Sequence, residues 1–171
     1  SLRLKNSAFL ALFSLLGVIV IGIPLGVWAA VRQKSRMDLA IVAGSYIGIS
    51  VPEFVSGTIL LLLFAGPAIK LFPTGGYQSL SAGLWPWFSH LVLPTATLML
   101  ILLAHVVRQT RSGMISVLKS NYIRTARLKG ASERMVIVKH ALRNGLLPTI
   151  TVLAMDVGYL MGSIVIVEDV F

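Results

Sequence analysis

The chain has 171 residues, 56% of them hydrophobic and 12% charged, with a mean hydropathy of +0.87. Soluble domains carry about 25% charged residues, so the composition excludes an ordinary soluble globular domain. The absence of cysteine excludes a disulfide framework, a thiolate metal site and a cysteine nucleophile.

The first element is an apolar stretch at 7–31 with no charge, longer than the roughly 20 residues a bilayer crossing needs. It contains Pro24 and the pair Gly22 and Gly26. A basic connection with Arg32, Lys34 and Arg36 follows, then a second stretch at 39–65, interrupted by Pro52 and Glu53 and carrying Gly44 and Gly48. The next connection, 66–87, is rich in turn formers (Pro67, Pro73, Gly75, Gly76, Pro86) and has Lys70 as its one basic residue. Trp85 and Trp87 stand where an interfacial aromatic belt belongs. A third stretch covers 88–107, with Pro94, His90 and His105, and a fourth covers 145–167, with Asp156, Gly158 and Gly162.

Basic residues set the orientation. Arg32, Lys34 and Arg36 in one connection, and the many Lys and Arg of 108–144 in another, are separated by two crossings and fall on the same side. The net charge of +9 thus marks the cytoplasmic face of a polytopic helical bundle rather than a nucleic-acid surface. Glycines four apart lie on one helix face and let another backbone approach, so the pairs Gly22/Gly26, Gly44/Gly48 and Gly158/Gly162 predict close helix packing, continuing across a subunit interface. Proline removes a helical hydrogen bond, and Pro24, Pro52 and Pro94 predict interruptions of three spans. Glu53 and Asp156 are costly inside a bilayer. Each either faces a substrate pathway, with Pro52 breaking the helix beside Glu53, or is a satisfied acid at a helix interface.

Residues 108–144 are too long for a tight turn. The pattern predicts a short helix over 116–128, a break at Lys129, Gly130 and Ala131, and a second helix capped by Ser132 with Glu133 in its first turn. Met135, Val138 and Leu142 recur at helical spacing and predict an apolar stripe on that second helix. A helix–turn–helix apolar on one side and basic on the other suits partner docking; a lipid-surface helix and a solvated connection are the bland alternatives.

The runs NYIRTARLKGASER at 121–134 and HALRNGLLP at 140–148 resemble the cytoplasmic coupling loop of binding-protein-dependent ABC importer permeases. They are most similar to the dipeptide/oligopeptide/nickel branch, and GIPLG at 22–26, SVPEF at 50–54 and GSIVIVE at 162–168 match that branch in order and spacing. Two departures stand out. Arg124, Thr125 and Ala126 occupy the place of the superfamily's Glu-Ala-Ala, and Asp156 stands where the branch commonly has glutamine.

The resemblance implies an all-α, MetI-like permease core, one transmembrane domain over 1–171, in a bacterial inner membrane. It implies a fragment of a longer permease that has a further span at each end. The implied partners are two ATPase subunits, a second permease subunit that is usually a different chain, and an extracytoplasmic solute-binding protein. The implied ATPase-coupling residues are Tyr122, Arg124, Thr125, Ala126, Lys129, Gly130, Ala131, Ser132, Glu133 and Met135. ATP and magnesium would bind the partner ATPases, because the chain has no phosphate loop of its own. No metal site is expected, since His90, His105 and His140 are not at ligand spacing. The cargo would be a peptide or a related small solute. The alternative from another class is an ion-coupled secondary transporter or channel using Glu53 and Asp156.

Overall fold

The computed structural model describes residues 2–66, 70–73 and 83–170, with backbone alone at 2–6, 168 and 169. Among the described residues the secondary structure is entirely helical. Helix α1 spans Leu2–Val31, α2 Arg36–Ser50, α3 Glu53–Phe64 and α4 Leu84–Leu118. Then come α5 at Asn121–Leu128, α6 at Glu133–Met135, a π-helical segment at Val136–Ala141, α7 at Leu142–Gly145 and α8 at Leu147–Val170.

Three stretches are long and apolar enough to cross a bilayer: Ser7–Val31, Leu84–Leu118 and Leu147–Val167. The second predicted span is not one straight helix. It is split into α2 and α3, which meet at a bend of 106°. Pro52 explains the break: it lacks an N–H and drives the preceding residue out of helical geometry, and Val51 is indeed extended (φ −92°, ψ 123°). Pro24 and Pro94, by contrast, lie inside continuous helices, contrary to the expected interruptions.

The third span is also longer than its apolar run. Helix α4 starts at Leu84 and continues to Leu118, through residues assigned from sequence to the adjoining connections. Pro86 sits in its first turn, where a missing N–H costs little. Trp85 is exposed, and Trp87 is half-buried and packs edge-on against Phe9 and Phe13 of α1, at 5.6 and 5.9 Å between ring centres. Pro67, Gly75 and Gly76 of the expected turn-rich connection lie outside the described residues.

Helix α4 is the mast of the fold: α1, α2, α3, α7 and α8 all pack on it. One apolar cluster joins Leu10 and Val18 of α1, Leu91, Leu98, Leu102 and Val106 of α4, and Leu160, Ile164 and Val167 of α8. Between lipid-solvated helices such packing must come from close contact rather than from water exclusion. The α1–α4 seam shows how closeness is obtained. A methyl group on Gly22 would sit 3.1 Å from Val106 Cγ1, and one on Gly26 would sit 2.6 Å from Thr110 Cβ and 2.8 Å from the Val107 carbonyl oxygen. Gly48 likewise rests on α4, where a Cβ would come 3.2 Å from the Leu100 carbonyl oxygen. A methyl group on Gly44, Gly158 or Gly162 would meet no atom of the described residues within 4 Å, so these glycines are not needed for close packing among them.

Two substitutions test the seam. Gly26→Val forces α1 away from a backbone carbonyl that cannot move aside, and should cost about 1–3 kcal/mol. Gly44→Ala should be neutral or stabilise by up to about 1 kcal/mol through helix propensity alone. Thermal unfolding of the detergent-solubilised protein distinguishes the two.

Candidate functional site

At one end of the bundle the chain leaves α4 and forms a helical hairpin. The sequence predicts that the first helix of this hairpin begins at 116. Instead α4 runs to Leu118, and the chain turns at Lys119 and Ser120 before α5 begins at Asn121. The Ser120 hydroxyl donates to the Val117 carbonyl at 2.7 Å, which favours the turn over a continued helix.

The break after α5 follows from local chemistry. Gly130 is in the left-handed region (φ 82°), where a side chain would be strained. The Ala131 N–H donates to the Ala126 carbonyl at 3.2 Å and the Gly130 N–H to the Arg127 carbonyl at 3.0 Å, the paired hydrogen bonds of a Schellman ending. The Ser132 side chain then accepts from the Met135 N–H and caps the next helix. Across the turn the Arg127 guanidinium grips the Glu133 carboxylate at 2.7 and 3.2 Å. That hydrogen-bonded pairing holds the Glu133 carboxyl below its usual range and raises the Arg127 guanidinium above its own.

The second helix follows the expected stripe in part, with Met135 and Val138 outward and Leu142 packed inward. Met135 and Val138 are exposed, whereas Val136 and Ala141 are fully buried. At 3.6 residues per turn, positions five apart lie roughly 140° around a helix from each other and cannot share a face. The π-helical turn over Val136–Ala141 widens the coil and brings both inward. The Tyr122 hydroxyl of α5 donates to the His140 carbonyl at 2.8 Å, with the two rings edge to face at 5.8 Å, which pins the wide turn to the other arm of the hairpin.

The hairpin therefore has two faces. Inward, Ile123, Val136 and Ala141 form one cluster with Met114 of α4 and Ala30 of α1, with Ala131 and Ile137 packed against it. Outward, Tyr122, Leu128, Met135 and Val138 are exposed, Leu128 to 80%. Arg124, Lys129, Arg134 and Lys139 surround them and are also exposed. The Thr125 hydroxyl satisfies itself on the Asn121 carbonyl, and Ala126 is half-buried.

Residues 110–114 of α4 tie this hairpin to the rest. Thr110 abuts Gly26 of α1 and shares a buried hydrogen bond of 3.0 Å with Thr149 of α8. Gly113 meets the backbone of Gly145, and Met114 covers Gly145 and the hairpin cluster. Arg111 forms a bidentate pair with Asp38 of α2, Nε to Oδ1 at 2.6 Å and Nη2 to Oδ2 at 2.7 Å. Sequence reasoning missed this pair. Its one available signal was an acid, Asp38, standing beside the basic connection of Arg32, Lys34 and Arg36.

The two acids of the spans have different partners. Glu53, the first residue of α3, is 7% exposed and faces Tyr159 and Ser163 of α8, and its Oε1 has no hydrogen-bond partner. Asp156 of α8 is 4% exposed and its Oδ1 lies 3.2 Å from His105 Nδ1 of α4, leaving Oδ2 without a partner. His105, known from sequence only as a residue near the end of a span, thus adds a second polar link from α4 to α8, besides Thr110–Thr149.

Residues 22–171 match the family described as "Binding-protein-dependent transport system inner membrane component". The chain is 40% identical over 171 residues to the Probable peptide ABC transporter permease protein y4tP of Sinorhizobium fredii, covering all of this chain and 54% of that protein. It is 40% identical to the oligopeptide transport system permease protein AppB of Bacillus subtilis over 99% of this chain and 54% of that one. It is 42% identical to the dipeptide transport system permease protein DppB of Bacillus subtilis over 90% of this chain and 47% of that one. The chain spans about half the length of the relatives it matches.

Two measurements follow from the hairpin geometry. Ile123→Ala empties a fully buried site and should cost about 2–5 kcal/mol in thermal or denaturant unfolding, while Leu128→Ala should leave stability within about 0.5 kcal/mol. Carbon-detected titration of Glu133 should give a midpoint below the ordinary 4.5, and Arg127→Gln should restore it. The pair's contribution is then full above the ordinary carboxyl range and is lost as pH falls through the lowered value.

Proposed function

The chain belongs to the family of binding-protein-dependent transport system inner membrane components and is a multi-pass inner membrane protein, and we propose that it forms the core of a permease subunit in an ATP-driven importer of peptides or a related small solute. In this reading the hairpin of α5 to α7 is the element that receives an ATPase subunit. Two ATPases act on the cytoplasmic side, where ATP and magnesium bind. A second permease subunit, of a different sequence, completes the pathway, and an extracytoplasmic binding protein delivers the solute.

The observation that carries the proposal is the hairpin's double face. Its inner side is locked by Ile123, Val136 and Ala141 onto the ends of α1 and α4, while Leu128, Met135 and Val138 point away from the bundle. An apolar strip on short helices fits a groove on a partner, and the surrounding Arg124, Lys129, Arg134 and Lys139 give orientation and encounter rate more than affinity. The positive-inside rule assigns this end, with residues 32–38 and the hairpin, to the cytoplasm, where an ATPase would meet it. The peptide cargo is supported by the names of the relatives, which are peptide, oligopeptide and dipeptide permeases.

A pathway role for Pro52, Glu53 and Asp156 belongs to the same proposal. Glu53 at the broken helix and Asp156 on α8 each keep one unpartnered carboxylate oxygen inside the bundle. Family membership weighs against the alternative in which these acids couple transport to an ion gradient.

A single cysteine in place of Leu128 tests the coupling reading. In membranes holding the full-length permease, its partner permease and the cognate ATPase with one cysteine in its docking groove, oxidation should give a cross-linked band. Its yield should change by about twofold or more on adding ATP, as expected if nucleotide binding shifts a two-state equilibrium. Absence of any band at Leu128, Met135 and Val138 alike would remove the proposal.

A further inference from the structure

Helix α2 meets α4 through a cation–π contact of Tyr46 with Arg108 and, on either side of it, at two further places. Near its C-terminal end Gly48 lies against the Leu100 carbonyl. At its N-terminal end stands the Asp38–Arg111 pair. The two points are ten residues apart, roughly 15 Å at helical rise. Just beyond Gly48 comes the 106° break that carries Glu53 against α8.

The two attachments differ in kind. Apolar contact between helices in a bilayer can slide, because lipid replaces protein as an equally apolar neighbour. A bidentate guanidinium–carboxylate pair cannot slide without leaving two poorly solvated charges. The pair is also reinforced. Asp38 is buried, and its Oδ2 accepts from the Lys34 N–H at 2.8 Å, a residue held in left-handed geometry (φ 67°). The Asp38 N–H in turn donates to the Ser35 hydroxyl at 3.1 Å. Arg111 is flanked on α4 by Thr110, Gly113 and Met114, which hold α1, α8 and the hairpin. Whatever displaces the hairpin displaces this stretch of α4, and Arg111 with it.

We infer that the Asp38–Arg111 pair is the strut through which motion of the hairpin reaches the α2–α3 break, making both residues positioning residues for transport. The inference rests on the importer reading above. It adds a route by which that reading can work: hairpin, α4 residues 110–114, Arg111, Asp38, the rod of α2, and the turn at Pro52 that sets Glu53.

The test uses the full-length permease with its partner permease, ATPases and binding protein in proteoliposomes. The probe is whichever of a labelled dipeptide and a labelled tetrapeptide the unmodified complex takes up. Asp38→Asn and Arg111→Gln should leave the Leu128 cross-link and ATP hydrolysis within about twofold of the parent, yet raise the ATP consumed per solute carried about fivefold or more. Arg111→Lys, which keeps the charge but loses the fork, should fall between, and the reversed pair Asp38→Arg with Arg111→Asp should recover most of the ratio. An unchanged ratio overturns the inference. So does a proportional fall of hydrolysis and transport at constant ratio, because the pair then only holds the fold. Loss of the Leu128 cross-link in the parent complex strikes the coupling reading itself and is scored separately.

Discussion

The close approach of four structural elements to one short piece of α4, residues 110–114, governs this end of the molecule. Within five residues α4 meets α1 through Gly26, α8 through Thr149, α2 through Asp38, and the hairpin through Gly145 and the Met114 cluster. Such crowding is possible only because Gly26, Gly113 and Gly145 give up their side chains. Nothing bulky intervenes, so the neighbours cannot shift independently. Interiors packed at this density transmit displacement rather than absorb it.

That constraint gives the hairpin its mechanical character. A helix pair resting loosely on a membrane surface would tilt when pushed. Here Ile123, Val136 and Ala141 are seated under α4, Tyr122 fastens one arm to the other, and the Schellman turn at Gly130 fixes their angle. Leu128, Met135 and Val138 face outward, which is what a docking face needs.

Much of this was legible in the sequence for local reasons. Long uncharged runs announced the spanning helices, and a glycine followed by a serine cap announced the hairpin turn, because each signal resides in a few adjacent residues. The helix break at 50–53 carried its own marker in Pro52, although Pro24 and Pro94 show that the same residue is also accommodated inside a continuous helix. What could not be read depends on partners remote in the chain. Asp38 and Arg111 are 73 positions apart, and His105 and Asp156 are 51 apart. No periodicity links them. The stripe of Met135, Val138 and Leu142 held in part: Met135 and Val138 share the outer face, while Leu142 turns inward because the segment between them is wound more loosely than 3.6 residues per turn.

The wide turn at Val136–Ala141 has a consequence for how sequences of this fold can drift in length. A π-helical turn is equivalent to one residue inserted into an α-helix. Val136 and Gly145 are nine residues apart and would stand on opposite sides of an uninterrupted α-helix, yet both are buried toward α4. The extra residue therefore acts as a phase corrector between the hairpin and the last helix. A chain that lost one residue here could heal its local hydrogen bonds perfectly and still present the wrong side of everything that follows, so the length of this segment is constrained more tightly than the identity of most of its side chains.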